Sequence, residues 1–134
     1  MEQKFISNIP MNLFLDDERT PAAVANYMPY AVYRNLQWET VKSFDEFVKF
    51  INTKGVPENI SFDHDLCDEH YKYSGSKSIP YELMKEKTGY HCLFWLILYC
   101  NKNNRELPNI LIHTMNVTGK RNMDLLIEMY SKIK

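Results

Sequence analysis

Three blocks carry side chains that do chemistry, and each sits directly behind an apolar stretch. Asp16 and Asp17 follow Leu13–Leu15, Asp63, His64 and Asp65 follow Ile60–Phe62, and His113, Thr114 and Asn116 follow "NILI". Carboxylates and imidazoles do not belong inside a buried strand, so their place at strand ends needs a reason. The four carboxylates of Asp16, Asp17, Asp63 and Asp65, gathered at one edge, would repel one another unless a cation or shared protons relieved them. A divalent metal is the natural relief. Oxygen ligands suit Mg²⁺ or Mn²⁺, and His64 and His113 widen the choice toward Mn²⁺ or another transition metal. The plainer alternative is that some of these acids cap the loops and helices that follow, as Asp commonly does.

The last block continues as "NVTGKRN". Thr118, Gly119 and Lys120 lead into a helix N-terminus, where free N–H groups and the helix dipole favour phosphate. Asn116, Lys120, Arg121 and Asn122 add donors suited to phosphate oxygens. With a single glycine and no Walker spacing, the motif has low specificity. Arg19, directly after the first acids, is either a salt-bridge partner or an anion clamp. His91, just after Gly89 and Tyr90, is expected to be a surface or capping histidine.

The elements that must position these groups alternate along the chain. Leu13–Leu15 predicts a strand, and Thr20 with Pro21 predicts the cap and first position of a short helix ending before Pro29. A second strand is expected at Ala31–Arg34, from apolar and aromatic alternation. Ser43 and Glu46 form a capping box ahead of Phe44, Phe47, Val48 and Ile51 on one helical face, closed by Gly55 and Pro57. "NISFD" is the third strand. Residues 67–87 show no periodicity and are expected to be an irregular insert. Thr88 caps a strongly apolar helix, Asn109 to His113 or Thr114 is the fourth strand, and "GKRNMDLLIEMYSKI" the last helix. Strands alternating with helices predict an α/β fold with a parallel sheet, in which ligands sit outside the carboxyl ends of the strands.

Composition sets the bounds. The chain has 134 residues, 45% hydrophobic and 25% charged, which suits one soluble domain spanning 1–134 with its own core. A net charge of −1 argues against an extensive nucleic-acid surface. The apolar run "CLFWLILYC" is too short to span a bilayer, and no leader pattern opens the chain, so a cytoplasmic protein with no membrane partner is expected. Cys67, Cys92 and Cys100 have no paired spacing and are expected to be reduced thiols.

Taken in order, "LFLDDERTP", "ISFDHDL", "TGYHCLFWL" and "ILIHTMNVTGKRNM" make the chain resemble the cyclic-phosphate processing receiver domain family, which looks like an offshoot of the receiver domains of two-component signalling. The match runs over nearly the whole chain but leaves out Tyr71 to Glu86. The resemblance implies a flavodoxin-like three-layer sandwich with a short, mainly parallel sheet and an acid pocket. In ordinary receivers, acids after the first strand and an aspartate after the third hold Mg²⁺, and that aspartate accepts a phosphoryl group. Asp16, Asp17 and Asp63 match those positions, and Thr114 matches the hydroxyl that contacts the phosphoryl group. No fifth strand with the usual lysine is found, and Lys120 is a candidate substitute at a different position.

His64, Asp65, His113 and Asn116 have no place in a plain phosphoacceptor switch. They are what the resemblance connects with a metal-dependent phosphoesterase acting on a cyclic phosphate, such as a 2′,3′-cyclic phosphate on a nucleotide or RNA end. Asp63, His64, His113 and Thr114 are then the catalytic candidates, with His64 or His113 passing a proton to the leaving oxygen. Attack by Asp63 itself stays open. The alternative is a non-catalytic signalling or phosphate-binding module with Asp63 as phosphoacceptor. A third alternative is an interaction protein whose insert grips a partner.

Overall fold

The computed structural model describes residues 11–28, 31–73 and 76–133. The expectation for the start of the chain, and the tip of the insert near residue 74, lie outside those residues. Four parallel strands, β1 (Asn12–Leu15), β2 (Glu39–Val41), β3 (Asn59–Phe62) and β4 (Asn109–Ile112), form one sheet in the order β2-β1-β3-β4. Helices α1 (Pro21–Val24), α2 (Val32–Asn35), α3 (Phe44–Lys54), α4 (Asp68–Tyr71), α5 (Gly89–Lys102) and α6 (Val117–Ile133) fill the connections. This is the receiver-like, flavodoxin-type α/β arrangement, with four strands among the described residues.

Strand alternation sorts the core into two layers. Leu13, Leu15, Ile60, Phe62 and Ile112 pack with α3, α5 and Met123 of α6 on one face. Phe14 and Leu111 pack with Val24 and Tyr33 of α1 and α2 on the other. Between these layers, register is set partly by an amide ladder at the amino ends. Asn59 Nδ2 donates to Asn12 Oδ1 and Asn109 Nδ2 to Asn59 Oδ1, each at 2.8 Å. Pairing Asn12 with Asn59 with Asn109 brings Leu15, Phe62 and Ile112 into one row three residues later.

Thr20, Ser43 and Thr88 cap their helices as expected, but the capping box expected at Ser43 is only half made, because Glu46 Oε1 accepts from Lys42 N at 3.0 Å and not from Ser43 N. Thr20 Oγ1 accepts from Ala23 N at 3.1 Å and Ser43 Oγ from Glu46 N at 3.2 Å. Thr88 caps α5, and His91 Nδ1 accepts from Thr88 N at 2.8 Å, so His91 is a capping histidine.

Three other expectations need correction. Ala31–Arg34 is no strand: Val32–Asn35 is a helical turn whose Tyr33 stacks on Trp38, and tertiary packing overrides the alternation. The strand is Glu39–Val41, a short sheet edge with exposed Glu39 and Thr40, where polar residues mask the pattern. The last helix starts at Val117, because Asn116 caps it: its Oδ1 accepts from Gly119 N at 2.9 Å. The stretch 67–87 holds α4 and a 3₁₀ turn at Tyr81–Leu83 rather than irregular chain throughout.

Candidate functional site

The strand order reverses at β1 and β3, where an open α/β sheet leaves a crevice beyond its carboxyl ends. One residue past the row of Leu15, Phe62 and Ile112 come Asp16, Asp63 and His113. Their backbone N–H groups still belong to the sheet, donating to Val41 O at 3.0 Å, Leu15 O at 2.9 Å and Phe62 O at 2.9 Å. The last ladder bonds therefore bring two carboxylates and an imidazole together, and a ligand atom from each of the three lies within 4.8 Å of the others.

Asp16 is saturated by protein donors. Its Oδ1 accepts from Glu18 N at 2.9 Å and Arg19 N at 2.8 Å, and its Oδ2 from Arg19 Nε at 3.1 Å and His113 Nε2 at 3.0 Å. Burial opposes its charge, but the His113 bond, the two backbone donors and Arg19 outweigh it and hold the carboxyl below its ordinary range. His113 is wholly buried and lies flat on Phe14, ring centroids 4.4 Å apart. Its Nδ1 is 2.7 Å from Ser61 Oγ, which is 2.6 Å from Tyr33 O–H. An ionised Asp16 can only accept, so Nε2 carries the proton and Nδ1 accepts from Ser61. Burial lowers the imidazole pKa and keeps the ring neutral.

Arg19 pairs with both acids. Its Nε contacts Asp16 while Nη2 lies 3.1 Å from Asp63 Oδ1, so one guanidinium bridges the two acids. Its Nη1 donates to Tyr27 O–H at 2.6 Å, and Tyr27 O–H donates on to His113 O at 3.3 Å. Asp63 Oδ1 also accepts from His64 N at 2.8 Å, whereas Asp63 Oδ2 is buried without a hydrogen bond. Burial first, then the Asp16 charge, push Asp63 up to about 7 against Arg19, the His64 N–H and the Thr114 hydroxyl. Asp17 Oδ1 is likewise buried and unpartnered, and burial with Glu18 and Asp16 raises that carboxyl to about 6.

A cleft of about 300 Å³ opens over Asp63. Of the residues singled out in the sequence, Arg19, Asp63, Asp65, Thr114 and Asn116 line it, joined by Glu18, Tyr71 and Met115. Glu18 was visible as the third acid of its block. Tyr71, at the end of α4, had no signal in the aperiodic insert, yet burial and the charges of Asp17, Asp63, Glu18 and Asp65 raise its pKa and keep the phenol protonated.

Other candidates stand outside the cleft wall. His64 is 1% exposed, with Nδ1 2.8 Å from Asp65 Oδ1 and Nε2 2.8 Å from Tyr81 O–H. With both nitrogens of both imidazoles committed inside the protein, neither His64 nor His113 presents a free nitrogen to the cleft. Lys120 lies on the exposed side of α6, Nζ 2.9 Å from Asp124, because the helix begins before it. Asn122 donates to Tyr81 O–H at 2.9 Å. The structure brings neither Lys120 nor Asn122 to the cleft.

The donor set suits a hard cation. The buried unpartnered carboxylate oxygen at the cleft, Asp63 Oδ2, is an oxygen ligand of the kind Mg²⁺ and Mn²⁺ take; Asp17 Oδ1 is also buried and unpartnered, but Asp17 is not among the residues lining the cleft. Two glycines let the backbone close on the site. A Cβ at Gly89 would fall 1.8 Å from Asp63 O, and one at Gly119 would fall 2.5 Å from the His64 ring.

A parallel sheet with helices on both faces and acids beyond β1 and β3 defines a receiver-like α/β protein. The family model for the cyclic-phosphate processing receiver domain matches residues 11–129. The chain belongs to that family. No curated protein and no solved structure matches it.

Proposed function

We propose that this cleft holds a divalent metal and hydrolyses a cyclic phosphate ester, such as a nucleoside 2′,3′-cyclic phosphate or an RNA end carrying one. The observation that carries the proposal is Asp63 Oδ2, a buried carboxylate oxygen without a partner in a cleft where Arg19 lies among Asp63, Asp65 and Glu18. Such an acid-rich cleft repels a phosphate unless a further cation joins Arg19. Asp63 would hold that ion, which when bound neutralises the cleft and polarises a phosphoryl oxygen.

The chain's own groups supply the rest. Thr114 O–H donates to a phosphoryl oxygen, and Arg19 offsets the negative charge gathered there. As water attacks phosphorus, Asp65 takes its proton while one ring P–O bond breaks. The leaving oxygen takes a proton from the Tyr71 hydroxyl, and solvent returns the Asp65 proton to Tyr71. The product is a ring-opened phosphomonoester. His113 and His64 hold Asp16 and Asp65 rather than carry protons themselves.

Asp63 Oδ2 also favours a second reading, a phosphoacceptor module in which that oxygen takes a phosphoryl group beside Thr114. One pair of assays separates the two. Hydrolysis of 2′,3′-cyclic AMP with Mg²⁺ or Mn²⁺, lost in Asp63→Asn, supports the phosphoesterase. Stable labelling of Asp63 by acetyl phosphate without hydrolysis overturns it in favour of the module.

A further inference from the structure

Behind the cleft a chain of hydrogen bonds runs in one direction. Asn122 Nδ2 lies 2.9 Å from Tyr81 O–H, Tyr81 O–H 2.8 Å from His64 Nε2, and His64 Nδ1 2.8 Å from Asp65 Oδ1. An amide NH₂ only donates, so Tyr81 accepts from Asn122 and its one proton is left for Nε2, the arrangement that a carboxylate at Asp65, which only accepts, also requires of the ring. That places the imidazole proton on Nδ1, pointing at Asp65. The second hold on Asp65 is equally directed. Gly119 N donates to Asn116 Oδ1 at 2.9 Å, which turns Asn116 Nδ2 toward both Asp65 oxygens, at 3.2 and 3.3 Å.

Tyr81 is itself fixed. It stacks on Tyr90 at 4.3 Å with the rings 12° apart, and His91 meets it edge-on. Gly119 leaves room for the His64 ring where a Cβ would collide with it. Tyr81 comes from the 3₁₀ turn, in the stretch that the motif blocks leave out.

We infer that Tyr81 is a positioning residue which, through the proton it gives His64, sets the tautomer that holds Asp65 in its orientation over the cleft. The inference rests on the hydrolytic reading only for what Asp65 then does. The 3₁₀ turn between α4 and α5 thus completes the site from behind, while Tyr71 at the end of α4 lines the cleft.

The test is Tyr81→Phe, which keeps the ring and removes the hydroxyl, beside Asn122→Leu, which removes the donor to Tyr81 and leaves Tyr81 O–H in place. In ¹⁵N-labelled wild type, the His64 ring is expected to carry its proton on Nδ1. In Tyr81→Phe that Nδ1–H signal is expected to be lost or exchange-broadened, and kcat for 2′,3′-cyclic AMP to fall about 10–100-fold at nearly constant KM. Asn122→Leu should shift both in the same direction by less. A sharp, unshifted Nδ1–H signal in folded Tyr81→Phe overturns the inference, and so does unchanged kcat after the signal is lost. Should Tyr81→Phe not fold, Asn122→Leu decides by the same two readouts. If wild type hydrolyses no cyclic phosphate, the hydrolytic reading fails and the tautomer readout alone decides the role of Tyr81.

Discussion

Asp63 and Arg19 make the electrostatics of the site testable one side chain at a time. The folded carboxyl of Asp63 titrates near 7 against an ordinary 3.8, so its ionisation is less favourable folded than unfolded. Stability associated with Asp63 is thus fully present below pH 4 and lost as pH rises through about 7. Asp17, raised to about 6, acts in the same direction, while Asp16 acts oppositely and loses its contribution in acid. Thermal unfolding of metal-free protein should show Asp63→Asn gaining on wild type between pH 5 and pH 8, by on the order of 3 kcal/mol. An unchanged gap between the two would mean that Asp63 is ionised without penalty.

Arg19→Met leaves Asp16 and Asp63 facing each other without their shared cation. The expected cost is about 2–4 kcal/mol at pH 8, smaller at pH 5 where Asp63 is neutral. Mn²⁺ should then restore more stability to the variant than to wild type, which differential scanning in both conditions would read. The sequence showed these acids and placed them at strand ends. It did not show that Arg19 belongs to both carboxylates, because that pairing depends on how β1 and β3 align.

Alignment is a property of elements, and it is where much of the site was hidden. Alternation and capping residues made β1, β3, β4 and the starts of α3 and α5 readable, because each combines a buried apolar set with a chemical stop or start signal. The edge strand β2 was missed for lack of apolar residues. The start of α6 was misplaced because Thr118, Gly119 and Lys120 read as the approach to the helix, whereas Asn116 caps it. Two glycines test the close packing directly. In an open helix Gly→Ala gains about 1 kcal/mol. At Gly119, in the first turn of α6, the added carbon meets the His64 ring, so Gly119→Ala should instead destabilise by about 1–3 kcal/mol. Gly89→Ala should cost more, since its carbon meets the Asp63 carbonyl, which cannot rotate away. A stability gain in either variant by chemical denaturation would refute that packing.

At the scale of the whole molecule, two similar devices hold the acids from opposite sides. Tyr33, Ser61 and His113 lead to Asp16; Asn122, Tyr81 and His64 lead to Asp65. In each, an imidazole serves as a rigid spacer that presents one N–H to a carboxylate. Such long-range partners have no sequence spacing by which to find them, so both histidines read as proton carriers until the fold showed both ring nitrogens occupied. The stretch after β3 is likewise part of the site. Removal of residues 72–86 takes away Tyr81 and should lower kcat for 2′,3′-cyclic AMP at least tenfold by loosening Asp65; unchanged turnover in the folded deleted protein would show the cleft to be independent of it.

Hydrolysis and phosphoacceptance are separated by following a nucleoside 2′,3′-cyclic phosphate by ³¹P NMR with the purified protein and Mg²⁺. Hydrolysis predicts that the cyclic resonance gives way to a phosphomonoester with wild type and persists with Asp63→Asn. A cyclic resonance that persists with wild type, while acetyl phosphate stably labels Asp63, would contradict it and make the protein a phosphoacceptor module.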